Sequence, residues 1–249
     1  MKRFLSIDWD FFIDATAEER IILFPDGGNE NLATSLREYI WDSRYRDPKL
    51  EKITVDMDAL KYVQKLCRAF CGECCITESH KYAFDFIMEN TTPDERFEVY
   101  NIDFHHDLYD FGHKRVNCGN WVTKLREKRP NMKYVWVSRP DSEKLSQVDV
   151  EVSILQMSFD AFVSRCGSDY EGLFDHIFLC RSDMWSPPHL DKYFRRLVRT
   201  LFSNQCAKVK YEKGIDNIRV YEIPTDFSEY LALANINKSK DSPSSAPNR

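Results

Sequence analysis

Val99-Tyr100-Asn101-Ile102-Asp103-Phe104-His105-His106-Asp107 is the stretch that decides how this chain is read. It opens as an apolar, β-favouring run and ends in four side chains able to bind metal: Asp103, His105, His106 and Asp107. On an extended backbone side chains alternate between faces, so Asp103, His105 and Asp107 point one way and His106 the other. A helix would scatter the three around its circumference. Two carboxylates and an imidazole on one face make poor core, but they suit Mn, Fe or Zn better than a soft thiolate-bound metal. The competing reading, a solvated acidic loop, is weighed against the partners found elsewhere in the chain.

Upstream, Arg3 to Phe12 reads as a first strand in which Asp8 and Asp10 are two residues apart and so share a face. Leaving two buried carboxylates unpaired would cost several kcal/mol each. Trp9, Phe11 and Phe12 argue against an exposed edge, and a cation between the carboxylates removes the cost. Val55 to Phe70 carries a helical stripe of Leu60, Val63, Leu66, Cys67 and Phe70, with Asp56 or Asp58 as its cap. Cys74 to Thr77 is a short buried strand, and a helix follows over Lys81 to Glu89, which places His80 at a strand-to-helix junction.

Downstream of the central strand, Phe97 to Asp103, the pattern predicts a helix over Gly119 to Lys128 and a strand over Met132 to Val137. One or two strands follow within Val148 to Met157, then a short helix over Phe159 to Ser164. Asp175 to Cys180 is a strand that runs into Arg181-Ser182-Asp183. A long helix covers Leu190 to Phe202 and a late strand Ile218 to Ile223. Residues 15–53, with a turn at Pro25-Asp26-Gly27-Gly28, read as an insertion placed to form a rim or lid. Strands alternating with helices imply an α/β fold with a mostly parallel sheet covered on both sides. We read 1–234 as one domain and the Ser-, Lys- and Asn-rich residues 235–249 as a disordered tail. Parallel strands put their carboxyl ends on one edge, where open α/β folds place their sites. Asp8, Asp10, His80, Asp103, His105 and Asp107 therefore converge although distant in sequence, with Ser182-Asp183 on the same edge.

The net charge of −5 over 249 residues argues against a general nucleic-acid binder and leaves room for a basic peptide or a guanidinium compound. No apolar run approaches the roughly 20 residues of a membrane span. Asp8 and Asp10 interrupt any signal-peptide core, so the eight cysteines read as reduced thiols in a cytoplasm. Cys67, Cys71, Cys74 and Cys75 crowd together without a second ligand pair at zinc-ribbon spacing, and read as small packed residues that form no disulfide.

Asp103-Phe104-His105-His106-Asp107 resembles the D-x-H-x-D motif of the ureohydrolases, the arginase and agmatinase enzymes. In that superfamily a histidine at a strand-to-helix junction comes one helix and one strand earlier, as His80 does here. Ser6-Ile7-Asp8-Trp9-Asp10 is similar to the family's S-x-D-x-D. The order differs, because S-x-D-x-D comes late in arginases and here forms the first strand. The Asp-Pro that follows it there is replaced by Phe11-Phe12-Ile13-Asp14. Asn117-Cys118-Gly119-Asn120-Trp121 stands where arginases carry a catalytic histidine. A permuted, short arrangement of this kind resembles the peptide arginases, which convert arginine to ornithine within a precursor peptide.

The resemblance implies a three-layer α/β/α sandwich with two manganese ions. Asp8 and Asp103 would bridge the ions, His80 and Asp107 would complete one, and His105 and Asp10 the other. Asp107 would also carry a proton to the leaving amine. Asp183 would anchor the guanidinium, or else cap the helix that follows. Asn120 and His113 would line the mouth, and His106 would take no ligand role. The implied partner is an arginine-containing peptide. Free arginine, agmatine, an acyl-lysine substrate and a metal-stabilised binding module without turnover stand as alternatives.

Overall fold

The computed structural model describes residues 1–24, 34–109, 112–145, 153–167 and 169–211. In chain order these form β1 (Lys2–Asp8), β2 (Ile13–Asp14), α1 (Ala17–Leu23), α2 (Thr34–Arg44), β3 (Thr54–Val55), α3 (Met57–Ala69), β4 (Glu73–Thr77) and α4 (Tyr82–Glu89). There follow β5 (Phe97–Ile102), α5 (Trp121–Lys128), β6 (Met132–Ser138), β7 (Ile154–Ser158), α6 (Phe159–Cys166), β8 (His176–Cys180), α7 (Asp191–Ser203) and β9 (Lys208–Tyr211). The turn at residues 25–28, the first part of the Val148 to Met157 segment, the strand expected at Ile218 to Ile223 and the tail at 235–249 lie outside the described residues.

Seven strands make one sheet in the order β7-β6-β5-β1-β8-β4-β9, and every pairing is parallel. β1 sits in the middle with Phe4 to Asp8 buried and apolar Phe4, Leu5 and Ile7 covered on both faces, as a central parallel strand requires. Alternation along it divides the core. Leu5 and Ile7 join a cluster with Leu60 and Val63 of α3, Phe162 of α6 and Phe194 and Leu197 of α7. Phe4 joins a second cluster with Phe86 of α4 and Trp121 and Leu125 of α5. The fold is thus a three-layer α/β/α sandwich, as expected. No helix among the described residues is long and apolar enough to cross a membrane.

The pairing registers fix the site edge. Ile7 pairs with Ile102, Asp8 with Cys180, and Thr77 with Cys180, so β1, β4, β5 and β8 all end at one level. The chain crosses β1 between β4 and β5, which makes this edge a topological switch point. α3 starts where the sequence places it, with the Asp56 carboxylate accepting hydrogen bonds from the Asp58 and Ala59 main-chain N–H groups. Asp56→Ala is expected to cost about 1 kcal/mol and to lower Tm by about 2–4 °C in thermal unfolding. An unchanged Tm would remove the cap from the account.

Two expectations of geometry change. The strand expected over Arg3 to Phe12 stops at Asp8, and Trp9–Phe12 is a single turn of 3₁₀ helix. β5 stops at Ile102, so residues 103–107 are not extended either. The alternation argument that put Asp8 with Asp10, and Asp103 with His105 and Asp107, therefore does not describe how these side chains meet; bends deliver them.

Candidate metal centre

Asp8 both ends β1 and caps the turn after it, its Oδ1 accepting from Asp10 N at 3.1 Å. The turn swings Asp10 toward His105. Arg20 of α1 fastens it by donating to the carbonyls of Asp10, Ile13 and Ala15, with its guanidinium stacked 4.0 Å above the Phe104 ring. On the other side, Trp136 Nε1 donates to the Asp103 carbonyl and Phe104 N to Asp10 Oδ1. These bonds tie the segment after β5 to both β6 and the turn after β1. Asp107 then adopts a left-handed backbone with φ of 55°, and Ser182, after β8, does the same at 48°. For a residue with a side chain this costs about 1–2 kcal/mol, and such residues gather at sites where the surroundings hold them.

His80 lies at the β4–α4 junction, fully buried, with its ring stacked on Phe178 and tilted against Trp121. Three carboxylate oxygens converge on its Nδ1: Asp8 Oδ2 at 3.0 Å, Asp103 Oδ2 at 3.1 Å and Asp107 Oδ2 at 3.0 Å. Despite these neighbours His80 Nδ1 makes no hydrogen bond. Donor atoms around 3 Å apart form the edge of a coordination shell, since metal–ligand bonds near ~2.1 Å at right angles give about that separation. A second group stands beside the first: Asp10 Oδ2 is 3.1 Å and Asp103 Oδ1 3.9 Å from His105 Nδ1. Asp103 offers one oxygen to each group. Asp8, His80 and Asp103, and Asp10, Asp103 and His105, can each hold a metal ion. Carboxylate oxygen with imidazole nitrogen is the donor set of a borderline or hard divalent cation.

Each carboxylate oxygen aimed at His80 is held by a second group. Ser182 Oγ donates to Asp8 Oδ2 at 2.5 Å, Asn101 Nδ2 to Asp103 Oδ2 at 3.0 Å, and Trp121 Nε1 to Asp107 Oδ2 at 2.5 Å. Ser6 Oγ lies 2.7 Å from His80 Nε2. With Ser6 as the Nε2–H acceptor, Nδ1 is left to face a cation, the usual way an outer partner sets a ligand's tautomer. Sequence pattern places Ser182 on the site edge and Trp121 in the loop after the D-x-H-x-D motif, but it assigns neither of them, nor Asn101, a role. Their one sequence-level signal is position, at or just past the ends of strands that carry ligands, or at the start of the helix that follows.

The charges are crowded. Burial and then the Asp10 and Asp103 charges push Asp8 up to about 6, and burial with the Asp107 and Asp10 charges pushes Asp103 up to about 7. Burial also raises Asp107. Asp10 goes the other way: burial opposes ionisation, but the His105 hydrogen bond and charge and the Arg20 charge lower its pKa. Burial disfavours the His105 imidazolium, yet the Asp10 hydrogen bond and charge lift it to about 10. His80 stays well above the ordinary range because Asp107, Asp103 and Asp8 outweigh its burial. Without a cation, the cluster holds protons in a cation's place.

The other residues singled out by sequence lie around this centre. His106 turns away: its Nδ1 accepts from Leu108 N, so Nε2 carries the proton and donates to Glu143 at 2.8 Å. Asn120 is buried, and its side chain is engaged by its own loop, accepting from Asn117 N and donating to the Arg115 carbonyl. His113 is exposed in that loop. Asp183 is buried, with its carboxylate 4.0 Å from Arg181, while Arg181 forms its closer, two-pronged pair with Asp191. All eight cysteines are free; Cys67, Cys74 and Cys75 are buried, and Cys71 is exposed. The insertion supplies α2, which docks on the loop after β8. Trp41 Nε1 donates to the Asp183 carbonyl, Arg44 to that of Met184, and Tyr45 Oη meets His189.

Comparison with protein-family models, curated proteins and solved structures finds no match. The functional argument therefore rests on the centre itself.

Proposed function

We propose that the protein is a binuclear-metal hydrolase that adds water to the guanidinium of a peptidyl arginine, releasing urea and leaving ornithine. The observation that carries this reading is the shared Asp103 carboxylate, with one oxygen beside the unbonded Nδ1 of His80 and the other toward His105. Four carboxylates and two neutral imidazoles also match the charge of two divalent cations. Asp8, Asp10, His80, Asp103, His105 and Asp107 would hold them, with manganese the choice that the ureohydrolase resemblance favours. When bound, two such ions supply Lewis acidity that makes water acidic enough to attack a guanidino carbon at neutral pH.

The protein's own groups arrange the rest. The His105 side chain is 34% exposed while Asp10 and Asp103 beside it are buried, so substrate enters on the His105 side. Asp107 Oδ2 is occupied by Trp121 and faces His80, which leaves Oδ1 to take the proton from water and return it to the departing amine. Asp183 becomes a guanidinium anchor by exchanging Arg181 for the substrate's planar cation. A peptide is favoured over a free amino acid because none of the groups with which arginases hold an α-amino and α-carboxylate group is matched in this sequence. α2 of the insertion adds a rim on the loop that bears Asp183.

The test is to incubate the manganese-loaded chain with arginine-containing peptides and with free arginine, following urea and the ~42 Da mass loss of the peptide. Urea from the peptides is expected, with free arginine far slower. Asp183→Asn is expected to weaken turnover and leave metal content unchanged. Comparable urea from free arginine would sink the peptide claim, and no urea from either with two ions bound would sink the hydrolase.

A further inference from the structure

We infer that Trp121 is a positioning residue for the metal centre: its indole N–H clamps the Asp107 carboxylate, and its ring braces His80, so that the two ligands face each other. The inference rests on the metal-site reading alone and asks nothing about the substrate.

Three observations meet at Trp121. Its Nε1 donates to Asp107 Oδ2, the same oxygen that stands 3.0 Å from His80 Nδ1. Its ring centroid lies 5.0 Å from that of His80, opposite in role to Phe178, which stacks on the imidazole at 5.7 Å. Asp107 has the left-handed backbone, an uncommon conformation for a residue with a side chain that the surroundings must hold. The bond from Trp121 is one of the contacts that hold it.

Trp121, like the Asn101 amide N–H on Asp103 and unlike the Ser182 hydroxyl on Asp8, can only donate. Indole nitrogen donates and never accepts, whereas the Ser182 hydroxyl can rotate and do either. The bond from Trp121 therefore always draws on a lone pair of Asp107 Oδ2. The ring itself is fixed. Trp121 is fully buried as the first residue of α5 and packs edge-on to Tyr134, whose hydroxyl donates to the His106 carbonyl. The preceding loop is tied by Asn120 to Asn117 and Arg115. One rigid ring thus links α5, β6, the segment after β5 and the histidine after β4.

Trp121→Phe keeps the bulk and removes the N–H. Manganese affinity of the full chain, measured by calorimetry, is expected to fall about 10- to 100-fold, the range typical of lost outer partners. In an Asp107→Asn background, where the clamped carboxylate is gone, the same substitution is expected to change affinity less than about twofold, because coupled residues are not additive. An equal loss in both backgrounds would mean that the ring acts only through packing, and wild-type affinity in Trp121→Phe would also overturn the inference. Should the variant not fold, ¹⁵N-indole spectra of the unsubstituted, metal-free chain decide. Of its five tryptophans, one is expected to show a far-downfield, slowly exchanging N–H that moves upfield in Asp107→Asn; no such signal would sink the clamp. A wild-type chain that binds no manganese would defeat the metal reading, while the indole signal would still report on the clamp.

Discussion

Asp103→Asn is expected to lose both metal ions at once, while Asp10→Asn is expected to lose only the ion on the His105 side. Among the described residues Asp103 is the one side chain with an oxygen in each group, its Oδ2 near His80 and its Oδ1 toward His105. An amide has one oxygen, so the other group would face an NH₂ instead of a ligand. It also removes a negative charge from a buried site built on four. Asp10 faces His105 alone, and Asp8, Asp107 and His80 survive its loss as a complete set on the other side. Affinity at both positions of Asp103→Asn should drop beyond the 10- to 100-fold typical of an outer-shell change, taking urea release with it. Metal analysis after dialysis measures this directly. Two ions retained by Asp103→Asn would show that the carboxylate does not bridge, and equal losses in both variants would show a single site.

The second large effect is a reversal in how stability depends on pH. In the metal-free protein Asp103 and Asp8 titrate at about 7 and about 6, above the ordinary 3.8 that the unfolded chain shows. Between those values the folded state binds more protons than the unfolded one, so stability falls as pH rises. A carboxyl held two units up costs about 3 kcal/mol once it must ionise. His105 acts in the same direction. Its folded-state value of about 10 exceeds the ordinary 6.5, so its contribution is complete below the lower figure and lost as pH climbs through the higher. Asp10, whose pKa is lowered, matters only in stronger acid, where its contribution is lost. Bound cations invert the slope, because protons compete for their ligands and binding strengthens as pH rises. Each ion at a thousand times its Kd adds about 4 kcal/mol, so two would raise Tm by roughly 15–30 °C at the 2–4 °C per kcal/mol of a chain this size. Thermal unfolding should therefore show Tm falling from pH 5 to 8 with chelator present and rising over the same range with manganese. Parallel slopes would remove the cluster as a metal site.

Much of this architecture was legible in the residues, for reasons that also explain the rest. Buried parallel strands are short apolar runs, so β4, β5, β6 and β8 announce themselves, and polar residues after them mark the site edge. β9 escapes because Lys208-Val209-Lys210-Tyr211 is half charged, as an edge strand can be. α1 escapes although Thr16 and Glu19 form a capping box before it, a pattern within reach of reading. Which ligand meets which was not legible. Asp10 turns on a 3₁₀ bend and Asp107 on a left-handed residue, and neither is written in a spacing rule. The groups that steady them, Trp121 at the start of α5, Ser182 after β8 and Asn101 within β5, become neighbours only through strand order, which no local pattern encodes.

That strand order has a consequence for the timetable of synthesis. β8 lies between β1 and β4, so Asp8 and His80 are brought to their separation by a strand made long after both. Ser182, which holds Asp8, stands 174 residues beyond it. A nascent chain that has not yet delivered residues 176–182 has a missing slat in the middle of its sheet. β1 and β4 then present unpaired edges, the kind that invite wrong partners. Assembly of the cluster is thus coupled to the late arrival of one strand, and the distant pairing makes that step slow. A copy lacking β8 could still bring Asp10 beside Asp103 and His105, because β1 and β5 pair directly, but it would have nothing to hold His80 beside Asp8.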